Sequence, residues 1–144
     1  MPKVSGVLID VEPALPESSG AALPLSETLP REAFSGIKTS YVSRYILDSA
    51  QVDYGEVELY YIYVDICEEI DRLNDRGDHD ITMSFYPVLR VIDLGRDAIK
   101  IDNISDASPE PRIKPVVTSR ARMLAQLIDV KRRIESMVIS QQSD

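Results

Sequence analysis

Prolines decide where regular structure can lie in this chain. Five of its nine fall in residues 1–30 (Pro2, Pro13, Pro16, Pro24, Pro30), three more are Pro109, Pro111 and Pro115, and only Pro87 stands elsewhere. Each removes a backbone donor and biases the residue before it toward extended backbone. The chain therefore divides into an extended Pro-rich N-terminal arm over 1–33, a core over 34–103, a linker over 104–116, a C-terminal helix over 117–139 and a polar tail over 140–144. Within the arm, Val7, Ile9 and Val11 alternate as one edge strand would. Leu-Pro then recurs at Leu15-Pro16, Leu23-Pro24 and Leu29-Pro30, so that Leu15, Leu23 and Leu29 read as pegs to be laid along a groove.

The core mixes two periods. Over 34–50, Phe34, Ile37, Tyr41, Val42, Tyr45 and Ile46 sit at helical spacing, although Thr39, Tyr41 and Val42 also suit a strand; Val57, Leu59, Tyr61 and Tyr63 alternate as in a strand. Asp65 followed by Glu68 has the spacing of a capping box, which predicts a helix over 66–75 closed by Gly77. A single helix through Leu59, Ile62, Ile66, Ile70 and Leu73 fits the same stretch almost as well. Ile81, Met83 and Phe85 alternate, Leu89 and Val91 resume after Pro87, and Ile99 and Ile101 follow the turn Asp93-Leu94-Gly95-Arg96, a hairpin pattern. From Thr118 or Ser119 as N-cap, Met123, Leu127, Val130, Ile134 and Met137 follow a 4-3-4-3 heptad seam, widened by Leu124, Ile128 and Val138. The expected fold is α+β: a small, mostly antiparallel sheet with two or three helices, an extended arm and an amphipathic C-terminal helix.

Chemistry is hard to place on this sequence. His79 is the only histidine and lies in the polar run Asp75-Arg76-Gly77-Asp78-His79-Asp80, which reads as a solvated loop. Cys67 stands alone and suits a buried position. Aligning Gly77 with a calcium loop puts Arg72 and Arg76 at ligand positions. No phosphate loop, dinucleotide fingerprint or zinc spacing occurs, so neither a catalytic residue nor a metal or cofactor is expected. A small enzyme built on Glu56, Glu58 or Glu68 would need two of them across a cleft.

Charge points elsewhere. The net charge of −8 conceals a division: residues 111–144 carry seven Lys and Arg against three acids, a surplus of four, which leaves the other 110 residues at −12. Nucleic acid or an anionic membrane surface could be met only through the C-terminal helix, by Arg120, Arg122, Lys131, Arg132 and Arg133. A basic helix can also dock on an acidic body, its own or another copy's. Tyr86-Pro87-Val88-Leu89 resembles the Tyr-Pro-x-Leu late-budding motif, by which viral structural proteins recruit the membrane-scission machinery.

The reading that follows is a non-catalytic structural or assembly subunit that self-associates as a homo-oligomer or docks in a larger complex, a virion matrix, head or tail protein among the cases. The alternative is an intracellular adaptor that binds a partner through its arm or its terminal helix. With one cysteine, no signal-peptide pattern and no apolar run long enough to span a bilayer, a cytoplasmic or virion location and no transmembrane segment are expected.

Overall fold

The computed structural model describes residues 6–18, 20, 22–48, 50–53, 55–104 and 113–142. Among these, eight strands form two antiparallel four-stranded sheets, joined by two α-helices. The α+β class holds, with two sheets in place of the one expected. Most of the 104–116 linker and the end of the tail lie outside the described residues.

The first sheet is built on β2 (Ser40–Leu47), which pairs with β1 (Val7–Glu12) and with β3 (Ala50–Asp53). The helical spacing over 34–50 is overturned here. Tyr41 and Tyr45 are four apart, a separation that returns to the same face in a helix and in a strand alike. The alternating Val7, Ile9 and Val11 supply a pairing partner, and the β-branched, aromatic content of β2 fits that pairing. Strand β4 (Val57–Glu58) also pairs with β2, one residue out of register with β3, a slip made at Gly55 (φ 101°).

Helix α1 runs Leu59–Asp75, so the expected strand over 56–64 shrinks to two residues. Leu59, Ile62, Tyr63, Ile66, Ile70 and Leu73 are all buried, and this continuous 3–4 spacing outweighs the short alternation. Asp65 caps nothing; it lies inside the helix, and its carboxylate accepts the backbone N–H of Ser84 (2.8 Å). The chain reverses at Arg76 and Gly77, both at positive φ.

The second sheet is a meander of β5 (His79–Met83), β6 (Tyr86–Asp93), β7 (Ala98–Asp102) and β8 (Val116–Ser119). Ile81, Leu89, Val91, Ile99 and Ile101 are fully buried on its inner face; removing each from water contributes about 1.5–3 kcal/mol. Strand β8 occupies residues assigned to linker and helix. It leads directly into α2 (Arg120–Gln142), which has the expected length but starts and ends three residues later than expected. Ser119 is the N-cap: its Oγ accepts the Arg122 N–H (3.3 Å), and Asp97 from the β6–β7 turn accepts the Ala121 N–H (3.0 Å). The Ser119 hydroxyl also donates to Asp97, and that bond first, with the Ala121 N–H second, holds the Asp97 carboxyl below its ordinary range.

The helices pack on each other, α1 also against β2 and β5 and α2 against β1 and β8, so the helix pair ties the two sheets together. On α2, Gln126 lies against the outer edge of β1: its Oε1 accepts the Ile9 N–H (2.8 Å) and its Nε2 donates to the Val7 carbonyl.

Candidate interaction surface

The residues expected to seek partners largely meet within the chain. Met123, Leu127, Val130 and Ile134 are buried in the core, and Met137 packs beside them. The heptad seam is thus filled by the chain's own strands and by α1. The Pro-rich segment is not a free arm either. The described residues of 13–30 lie between two paired strands and run across α2 as a strap, anchored at β1 on one side and at a short 3-10 turn (Arg31–Phe34) and β2 on the other. Leu15 is buried, and Leu23 and Leu29 half-buried.

A buried polar latch holds this strap. Lys131 (2% exposed) and Glu135 (0%) lie one turn apart on α2 with Nζ–Oε2 2.6 Å. Tyr63 donates to Glu135 (2.7 Å). Together they satisfy three backbone groups of the strap: Glu135 accepts the Leu23 N–H (3.1 Å), Tyr63 Oη accepts the Leu29 N–H (2.8 Å), and Lys131 donates to the Glu27 carbonyl (3.0 Å). Burial, reinforced by the bond to Glu135, drives the Tyr63 hydroxyl well above its ordinary value. Further along, Ser18 and Ser136 share a hydroxyl hydrogen bond (3.1 Å).

The five candidate cations of α2 are dispersed by the same geometry. Lys131 belongs to the latch. Arg120 is buried, donating from Nη1 to the carbonyl of Leu73 (2.5 Å) and pairing with Asp93 (3.4 Å). Arg133 pairs with Asp129 (2.9 Å), and only Arg122 and Arg132 stand exposed. Of the five cations expected on one anionic contact, two stand exposed and one is paired at the surface.

His79 is a further correction. It lies on β5, mostly buried, with Nε2 2.7 Å from Oε2 of the buried Glu69. A local run of polar neighbours reads as loop, but Ile81 and Met83 two and four residues on carry it into the sheet. Burial raises the Glu69 carboxyl, opposed by the bond to His79. Burial also pushes the Cys67 thiol up to about 11, which leaves little thiolate at neutral pH. Among the described residues, no three His, Cys, Asp or Glu side chains are grouped to hold a metal ion, and no helix is long and apolar enough to cross a membrane.

What the chain does present is an aromatic knob. Strands β5 and β6 are joined by the two-residue turn Ser84-Phe85, with φ of 51° and 72°. Two-residue hairpins favour this left-handed pair because it matches sheet twist, and Asn-Gly is the usual occupant. A bulky aromatic there is an outlier that costs about 1–2 kcal/mol. Phe85 is 70% exposed and Tyr86 58%. The Phe85 ring lies 6.0 Å from Tyr61, which meets Tyr60 at 5.7 Å, and Tyr60 in turn meets Phe34 at 5.4 Å. Arg31 stands over Tyr60 and Tyr61, its Cζ 5.5 and 5.6 Å from their centroids. Beside this strip, Arg31, Glu32, Phe34, Ser35, Glu58 and Tyr60 line a shallow hollow of about 280 Å³.

The strip was hidden by parity. Counting Ile81, Met83, Phe85 points Phe85 inward, but the strand ends at Met83 and the turn throws Phe85 out. Of the late-budding tetrapeptide, Tyr86 and Pro87 are exposed, Val88 is half-buried and Leu89 is 1% exposed on β6. The four residues are therefore not presented together as a peptide.

No protein-family model, curated protein or solved structure matches this chain.

The turn is held from below by Asp65. Burial pushes its carboxyl up to about 6, outweighing the Ser84 N–H, which acts in the opposite direction. Because the folded value exceeds the unfolded one, the stability this group lends is present below about pH 4 and lost as pH rises through 6. Asp65→Asn keeps an oxygen for Ser84 and removes the titration. The variant is expected to exceed the wild type at pH 7 by about 1–2 kcal/mol, a figure reduced for partial solvent screening. Thermal unfolding at pH 7 and pH 4 checks this: the advantage should vanish at the lower pH.

Proposed function

We propose that this chain is a non-catalytic structural subunit that meets neighbouring subunits of a larger assembly through the β5–β6 tip. The observation that carries the reading is Phe85, an aromatic ring set out in solvent by a backbone conformation that disfavours it. Strained positions of this kind cluster where function requires them, and exposed aromatics beside arginine are the usual composition of interface centres. An adaptor working through the N-terminal segment or the helix seam is less well supported, since the strap is latched and the seam filled. A virion matrix, head or tail component is one case of such an assembly. The Tyr-Pro-x-Leu resemblance lends it no support with Leu89 buried.

Phe85→Gly separates the proposal from a purely structural role. Glycine accepts φ 72° without penalty, so the melting temperature should rise by about 2–5 °C. Association measured by light scattering should fall. A variant that melts lower and associates as before would mean that Phe85 serves the fold alone.

A further inference from the structure

Resting on that reading of the tip, we propose that its partner is a second copy of this chain, placed by a two-fold axis so that each copy's Phe85 enters the other's Tyr60 hollow. A two-fold contact is self-complementary: if residue i of one copy meets residue j of the other, j meets i. Knob and hollow must then lie side by side on one face. Here they do: the Tyr61 ring meets both Phe85 and Tyr60.

The chemistry of the hollow suits an aromatic guest. Phe34 and Tyr60 line it, and so does Arg31, whose guanidinium already lies over two rings. Its volume of about 280 Å³ exceeds the roughly 150 Å³ that accommodates a benzene ring in an apolar cavity. The two chains each carry a charge of −8, so long-range repulsion opposes the contact and salt relieves it. Association through the rings should strengthen from low to moderate salt, whereas docking of a basic helix on an acidic body should weaken.

Sedimentation velocity on the full chain tests the proposal with two variants that leave the core untouched. Phe85→Gly removes the knob, and Ser35→Trp, at an exposed position with helical φ and ψ, fills the hollow. Each alone should weaken dimerisation by about thirtyfold or more. Mixed together they should recover part of it, since one knob and one hollow remain intact in the mixed pair. The proposal is overturned by a wild type that stays monomeric at millimolar concentration, by a dimer indifferent to both variants, or by a mixture that shows no recovery. A purified monomer that migrates in a larger complex in cell extract, lost in Phe85→Gly, would sink the two-fold pairing and leave the assembly reading standing. A monomer found in no complex would sink both.

Discussion

Lys131→Met is expected to lower the free energy of unfolding by about 3–5 kcal/mol, the range for removing one partner of a buried ion pair. Methionine matches the shape of the stem but leaves Glu135, which is fully buried, without its cation. The carbonyl of Glu27 loses its donor in the same step, so the strap loosens where it crosses α2. Urea denaturation measures the loss, and limited proteolysis at 13–30 locates it. The double variant Lys131→Met with Glu135→Leu should cost less than the sum of the singles, because it abolishes the stranded charge and leaves only Tyr63 and the Leu23 N–H seeking an acceptor. A single-variant loss near zero would show that the strap is held by its leucines.

Arg120→Met is the second large effect, about 2–3 kcal/mol. The Leu73 carbonyl belongs to the last turn of α1 and has no N–H of its own helix to meet; the guanidinium of α2 reaches across to fill that place. Asp93 loses its ion pair at the same time. Arg122→Met, two residues on and exposed, should stay within about 0.5 kcal/mol of the wild type. Chemical denaturation of the pair distinguishes a structural arginine from a surface one. Equal effects would contradict the burial assigned to Arg120.

These two residues show where the sequence was legible and where it was not. The seam of α2 was plain because Met123, Leu127, Val130 and Ile134 repeat a period over several turns, and the hairpin at Asp93-Leu94-Gly95-Arg96 because turn chemistry is local. Lys131 and Glu135 stand at i and i+4, a spacing that is the same on a wet face and under a strap. Their burial depends on residues 22–29, more than a hundred positions away, which sequence spacing does not report. Arg120 was counted as a surface cation for the same reason, its partner being the end of another helix. Glu69 with His79 repeats the lesson: each sits among polar neighbours, and only the packing of α1 on β5 brings them together. At Phe85 the failure was one of counting, since alternation continues on paper past the point where the strand has ended. Tyr41 and Tyr45 failed by degeneracy, their spacing being common to both periods until β1 is supplied.

The covering of β1 by Gln126 has a consequence for synthesis. Strand β1 leaves the ribosome before β2 and finds it within forty residues, yet the side chain that meets its outer edge is translated 117 positions after Ile9. Through most of elongation the nascent sheet therefore shows a bare row of donors and acceptors, of the kind that templates pairing with another chain. Only the arrival of α2 removes it. Chains released before Arg120 would lack Gln126 at that edge, and the hazard they face is fibrous pairing of unfinished sheets.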